Sequence, residues 1–509
     1  MNTIQRVAKN TGALFTARVA GHVLGFFYMM YIARYLGPSN FGILAFALAF
    51  TGIFGVLTDF GLEPLTIREV ARDKSLASKY LANISGMKII LVTVSFGLIA
   101  LTINLLGYPK QTIKVIYLVS LSVIFSAFTT MFYSIFQAYE RMEYQSLWQI
   151  LNSALMLGGV IFAIKCNLSV VEFASVYFLV STVGLAYSFT IFRMKFSNPA
   201  LAWSLRKIEV DWSFWKPTIK EALPFGLAIT FMMIFYWIDS VMLSLMKGDA
   251  VVGWYNAAYR MVLVLLFIPN SFIAAIYPIM SKFYKISQNS LLLSFEKSFK
   301  YLTVLGIPIG VGTTLLAKRF ILVIFGPEYM NSILPLEILV WSSVFIFMSQ
   351  ALGNLFNCLN RQSIVTKTTG ICVALNVTLN LILIPKYSLI GASIATVLTE
   401  ITSLILLFVW SIEIGYSIPK KELLSITIKV LISSTLMGVS IMHFYNLTLL
   451  KLIPLAALLY FILLFLTGGI GKEDVSLIKQ ISVRRKNEKP NVENSCESWE
   501  ERKEYNKWG

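Results

Sequence analysis

Long apolar runs, each close to the length of a bilayer-spanning helix, alternate with short polar breaks along almost the whole chain. A helix rising 1.5 Å per residue needs roughly 20 apolar residues to cross a hydrocarbon core of about 30 Å. Fourteen runs reach that length: 11–35, 39–62, 82–106, 112–138, 146–165, 170–193, 220–246, 252–281, 299–322, 332–358, 365–385, 388–413, 424–445 and 452–470. Connections such as Gly37-Pro38-Ser39-Asn40 and Lys386-Tyr387 are too short for anything but antiparallel neighbours. The pattern predicts an all-α polytopic membrane protein of about 14 transmembrane helices, with no large domain on either side. It stops after Gly471. The stretch 471–509 is rich in Lys, Arg and Glu, lacks apolar periodicity and reads as a disordered cytoplasmic tail.

Composition agrees: 57% of the 509 residues are hydrophobic and 14% are charged, which excludes a soluble enzyme. A net charge of +17 would suggest a nucleic-acid partner in a soluble protein. In a membrane chain it is topological, because Lys and Arg collect in cytoplasmic loops. With both termini inside, 30 of the 43 Lys and Arg fall in inner segments and 9 in outer ones. Arg18, Lys88, Arg260 and Lys429 lie within spans. This predicts a multi-pass protein of the cell (inner or plasma) membrane with cytoplasmic termini, and no nucleic-acid partner. The N-terminus lacks a short apolar core followed by a cleavage site, so the first span is expected to be retained. Four scattered cysteines and two histidines provide no metal-ligand or disulfide spacing, and no cofactor is expected.

A self-similarity divides the chain. Gly37-Pro-Ser-Asn-Phe-Gly42 returns 211 residues later as Gly248-Asp-Ala-Val-Val-Gly253, and Ala174-Ser175-Val176 returns as Ala392-Ser393-Ile394. Two pseudo-repeated six-helix lobes would explain it, a plan common in secondary transporters. The predicted layout is an N-terminal lobe (1–197), a cytoplasmic linker (198–219), a C-terminal lobe (220–413), two further spans (414–470) and the tail (471–509).

The chain resembles the oligosaccharide (O-antigen type) flippases, a polysaccharide biosynthesis family within the multidrug/oligosaccharidyl-lipid/polysaccharide exporter superfamily. The residues that carry the resemblance are Ala33-Arg34-Tyr35-Leu36-Gly37-Pro38, Phe41-Gly42, Asp59-Phe60-Gly61-Leu62 with Arg68, Asp239, Val252-Gly253-Trp254-Tyr255, Phe325-Gly326-Pro327-Glu328-Tyr329, Asn376, Asn380 and Gly391-Ala392-Ser393. It covers roughly 5–470, and its specificity lies in the order and spacing of degenerate pieces. The resemblance implies a two-lobed transporter, not an enzyme, that turns a polyprenyl-diphosphate-linked glycan across the membrane by alternating access. Membrane lipids, with a polysaccharide polymerase or glycosyltransferases, would be its partners.

Charges at depth are the candidate chemistry, because each costs about 2.5–3.5 kcal/mol or more unless it faces a cavity or a partner. Arg18 and His22 share a face of the first span, where the guanidinium could grip a diphosphate through two donors. The alternative is a structural pair between Arg18 and Asp59. Arg260 is the matching cation in the second lobe, in a span that Pro269 should bend, and snorkelling outward is its bland reading. Asp239 could carry a coupling proton or sodium ion or neutralise Arg260, and Glu400 is a second ion-coupling candidate. Gln350, Asn354 and Asn357 form one polar face, continued by Asn376 and Asn380 on the next span. They read as interhelical hydrogen bonds or sugar contacts. Lys88 and Lys429, near inner helix ends, are expected to snorkel.

Two rivals remain. An ion-coupled drug or cation exporter of the same superfamily would want an acidic cavity. A membrane glycan polymerase or ligase would want a substantial outer loop, and none here exceeds about ten residues. The sequence also lacks G-x-x-x-x-G-K-[ST], so no nucleotide motor is expected.

Overall fold

A computed structural model describes residues 3–196, 211–416 and 420–471. It contains fourteen α-helices and, among the described residues, no strand. They are α1 (Thr3–Gly55), α2 (Leu62–Arg72), α3 (Ala77–Leu105), α4 (Lys110–Ala138), α5 (Met142–Lys165), α6 (Val170–Lys195), α7 (Trp212–Lys247), α8 (Asp249–Leu265), α9 (Phe267–Ile286), α10 (Gln288–Ile324), α11 (Ile333–Cys358), α12 (Gln362–Glu413), α13 (Lys420–His443) and α14 (Leu449–Leu466).

Among the described residues, twelve helical segments are long and apolar enough to cross a membrane. Two of them cannot be single crossings. α1 has 53 residues and α12 has 52, about 80 Å each against a core of about 30 Å. Each breaks where the sequence predicts a turn, at Gly37 (φ 68°, ψ 173°) and Ser388 (φ 53°, ψ −133°). The arms of α12 fold back on each other: Cys372 Sγ donates to the Thr399 carbonyl at 3.8 Å, and Gly391 abuts the Leu383 carbonyl. Counting both arms of each gives the fourteen crossings expected. The chain is a multi-pass membrane protein.

The structure differs from the sequence reading in the connections. The inner segment 63–82 contains α2, which is too short and too polar to register as a span; it buries Leu62, Leu65, Thr66 and Val70 along one face. The expected loop 282–300 is helical except at Ser287, and α7 begins at Trp212 within the expected linker. The eighth span is two helices, α8 and α9, broken at Leu266. Pro269 lacks the N–H that would bond the Leu265 carbonyl, which accounts for the bend.

The chain falls into two compact units, residues 1–418 and 419–509. In the second, α13 packs on α14, and Lys429 Nζ donates to the Gly468 carbonyl at 3.2 Å. In the first unit, α1 packs on α5 as α7 packs on α12, and α4 on α6 as α11 on α12. One apolar core runs through α1, α7, α8 and the 3₁₀ turn Pro327–Ser332, burying Phe41, Phe46, Tyr255 and Tyr329.

The repeat has a physical counterpart. α1 and α8 meet so closely that a Cβ on Gly42 would lie 1.8 Å from the Asp249 carbonyl oxygen, and one on Gly253 would lie 2.0 Å from that of Pro38. Subtracting the offset of 211 turns the second contact into the first with the halves exchanged. Gly248 (φ 87°, ψ 177°) also repeats the left-handed geometry of Gly37, which glycine alone adopts without strain.

Candidate functional site

A cavity of about 470 Å³ lies between α1, α7, α8 and α9. His22 and Tyr28 enter it from α1, Tyr236 and Trp237 from α7, Arg260 from α8 and Asn270 from α9. The guanidinium of Arg260 has no ion pair or hydrogen bond among the described residues; the phenols of Tyr28, Tyr177 and Tyr236 lie within its field. A charge left uncompensated at this depth needs an anion or water. The cavity thus joins two of the sequence candidates, His22 and Arg260, from opposite halves. Arg18 lies on α1 one turn before His22, but its side chain is outside the described residues.

Of the polar face on α11, Gln350 is joined to a residue of the cavity wall, its Nε2 donating to Asn270 Oδ1 at 2.9 Å. Asn354 is buried against Met280 Sδ, 3.1 Å from its Nδ2, and leaves its Oδ1 without a partner. Asn357 is partly buried near the end of α11, away from the cavity lining. Asn376 and Asn380 lie elsewhere, fully buried around Asp239.

That second cluster is built on α7, α8 and both arms of α12. Asp239 Oδ2 accepts from Tyr255 Oη (2.7 Å) and Thr396 Oγ1 (2.8 Å). Its Oδ1 accepts from Asn380 Nδ2 (2.6 Å), which is also 2.9 Å from Asn376 Oδ1. The carboxylate therefore pairs with hydroxyl and amide donors, and no ion pair to Arg260 forms. Asn380 Oδ1 is buried without a partner. Carboxylate, amide and hydroxyl oxygens are the donor set of a small hard cation, so Asp239, Asn376, Asn380 and Thr396 could hold one. Thr396 was missed in the sequence; the available signal was its hydroxyl one turn past Ala392-Ser393. Glu400, one turn further along α12, is buried and close to Tyr259 and Cys372.

A third cluster lies at the start of α2. Lys88 does not snorkel: it is 1% exposed, and its Nζ donates to Asp59 Oδ1 at 2.6 Å and to the Ala127 carbonyl at 2.9 Å. Asp59 thus has a partner that the sequence did not suggest, 29 residues away; its alternative pairing with Arg18 falls on a side chain outside the described residues. Asp59 Oδ2 also accepts from the Glu63 N–H at 3.0 Å. The Glu63 carboxyl is pushed up to about 7, first by burial and then by Asp59, with Lys88 opposing.

Beside this cluster the halves meet through a second glycine pair. A Cβ on Gly61 would lie 2.5 Å from the Ala222 carbonyl oxygen, and one on Gly226 2.7 Å from that of Phe60. Arg68 Nη2 adds a 2.6 Å bridge to Glu221 Oε2. Backbone contacts that only glycine permits therefore join the two halves at both ends of their interface.

The fold is shared with known proteins. The solved inward-closed lipid II flippase MurJ superimposes with a TM-score of 0.72 at 17% identity, covering 88% of this chain and 97% of that one. A probable low-salt glycan biosynthesis flippase, Agl15, of Haloferax volcanii is 24% identical over 404 residues, 77% of this chain and 81% of its own length. The capsular polysaccharide biosynthesis protein CapF of Staphylococcus aureus is 24% identical over 412 residues, 78% and 98% of the two chains. A family model described as polysaccharide biosynthesis protein matches residues 7–284, more than half of the sequence and the stretch that holds His22, Asp59, Asp239 and Arg260. The chain belongs to the polysaccharide biosynthesis protein family.

Proposed function

We propose that this chain is a flippase that moves polyprenyl-diphosphate-linked oligosaccharide from the inner to the outer leaflet for surface polysaccharide synthesis. It is a transporter and not an enzyme. The observation that carries the reading is Arg260, an uncompensated guanidinium in a cavity to which both halves contribute. A planar two-donor cation matches a diphosphate oxygen pair. His22, and Arg18 on the same face of α1, complete the anion site from the other half. Asn270 with Gln350 supplies hydrogen-bonding groups for sugar, while the lipid tail stays in the bilayer.

Alternating access then means breaking one glycine contact while the other holds. With both termini cytoplasmic in the cell membrane, the Gly42–Gly253 pair closes the outer side and the Gly61–Gly226 pair the inner. The lobes are 1–197 and 220–413, joined through 198–219. Asp239, with Asn376, Asn380 and Thr396, is the coupling site for a proton or sodium ion, and Glu400 is a second candidate. Asn354 and Asn357 face the same side of α11 as Gln350 and would be reached by sugar as the halves move. A polymerase and glycosyltransferases are the expected partners in the membrane.

The names of the relatives support this reading. So does the sign of the cavity: among its described lining residues there is Arg260 and no carboxylate, unlike the acidic cavity that a cation exporter would want. The test is binding of an undecaprenyl-diphosphate disaccharide to the purified chain by native mass spectrometry. Arg260→Ala should weaken it about 10- to 100-fold, the scale of a charge-assisted hydrogen bond, and Arg260→Lys less. Equal binding by wild type and Arg260→Ala would refute the site.

A further inference from the structure

We propose that an inner-leaflet anionic phospholipid inserts one acyl chain between the two halves, beside the Gly61–Gly226 contact, and that this binding favours the state in which that contact is made. A small pocket of about 120 Å³ lies there, lined entirely by apolar side chains. Phe60, Leu62, Met87, Ile90 and Leu91 come from the first half of the chain, and Trp215, Ile219 and Ala222 from α7. Ile90 and Ile219 of this lining are half exposed on helices apolar enough to span a membrane, so the medium that meets them is hydrocarbon. The volume is comparable to the roughly 150 Å³ apolar cavity that takes up benzene. It admits a segment of one chain, and none of its lining residues also lines the cavity of Arg260.

The exposed part of the lining also selects a head group. Lys216 and Lys220 flank Ile219 on one face of α7, both exposed and neither with an ion pair among the described residues. Lys79 stands 5.2 Å from the Phe214 ring centroid one turn earlier. The nearby carboxylate, Glu221, is taken by Arg68. Two free ammonium groups beside an apolar slot fit a phosphate diester above its own hydrocarbon chain.

Linkage supplies the consequence. The pocket exists only while α7 lies against Phe60 and Leu62, and Phe60 and Ala222 provide the very carbonyls that the two glycines approach. A ligand that touches both walls binds the closed arrangement and disfavours the open one by its differential affinity. This consequence rests on the alternating-access reading; occupancy of the pocket does not.

The test uses the full chain in nanodiscs with phosphatidylglycerol carrying a diazirine midway along one acyl chain, and the same probe on phosphatidylcholine. After irradiation, adducts should map to Ile90, Leu91 or Ile219, with about 30-fold more from phosphatidylglycerol, the scale set by two lysines near an anionic head group. Lys216→Gln with Lys220→Gln should abolish that preference, and Leu91→Trp, which fills the slot, should abolish the adducts. For the consequence, Arg68→Cys and Glu221→Cys in a chain without its native cysteines should cross-link faster in phosphatidylglycerol than in phosphatidylcholine. Adducts spread evenly onto lipid-facing Leu98 and Leu101, or unchanged in Leu91→Trp, would overturn the pocket. Displacement of the label by undecaprenyl diphosphate would assign the slot to the substrate's tail and overturn the phospholipid. Equal cross-linking with specific adducts would overturn the state selection.

Discussion

Gly253→Ala perturbs the contact between halves where least can yield. The added Cβ would stand 2.0 Å from the Pro38 carbonyl oxygen and 2.8 Å from its carbon, both backbone atoms. Real Cβ contacts essentially never fall below 3.0 Å, so α8 must withdraw from α1 by about 1 Å. Overpacking of this kind costs about 1–3 kcal/mol. Here the cost falls on the closed arrangement alone, because the two backbones separate when that side opens. The closed-to-open ratio should therefore fall about 5- to 150-fold. The assay is the labelling rate of His22→Cys by an impermeant maleimide added outside, in a chain without its native cysteines. Gly253→Ala should raise the rate by that factor, and Gly42→Ala, with a Cβ at 1.8 Å from the Asp249 oxygen, at least as much. Gly97→Ala is the control, since nothing lies within 4 Å of its Cβ. A rate in Gly253→Ala equal to that of Gly97→Ala would refute the claim that this contact closes the outer side.

Three further outcomes are expected. Lys88→Met should lower the thermal midpoint strongly, by about 3–5 kcal/mol of stability, because it leaves Asp59 without its cation; Lys88→Met with Asp59→Asn should recover much of this. In wild type, folded Glu63 holds its proton to about pH 7, against 4.5 for an ordinary glutamate. The folded protein thus binds more protons across that window, so stability should fall as pH rises from about 4.5 through 7 and level off above it. Glu63→Gln should flatten that slope and exceed wild-type stability at pH 8, as read by melting in detergent at pH 5 and 8. Asp239→Asn should leave binding of the lipid-linked disaccharide near normal while removing any dependence of transport on the proton or sodium gradient.

How much of this was legible in the sequence depends on range. Spans follow from composition over twenty residues, the turns at Gly37 and Ser388 from local breaks, and the bend before Pro269 from a missing donor. All were readable because their causes are local. The reciprocal glycines were half legible: the offset between Gly42 and Gly253 was visible, but not that each abuts the other's hairpin. Arg260 stood out because a charge at depth is costly wherever its partner lies. Lys88 misled for the complementary reason, since its partner Asp59 sits across a turn, on the chain before α2, and no periodicity reports such a pairing. Asn376 and Asn380 show one polar face whether that face meets sugar or a buried carboxylate. Thr396 was hidden among the many Ser and Thr whose hydroxyls bond only their own helix.

The most direct measurement is transport itself. The purified chain, in vesicles bearing a fluorescent undecaprenyl-diphosphate disaccharide, should move the lipid between leaflets, read as the fraction protected from an external quencher. Wild type should exchange the leaflets far faster than protein-free vesicles, with Arg260→Ala slower by about 10- to 100-fold and Arg260→Lys between them. Exchange no faster than in protein-free vesicles, or an Arg260→Ala rate equal to wild type, would contradict the account.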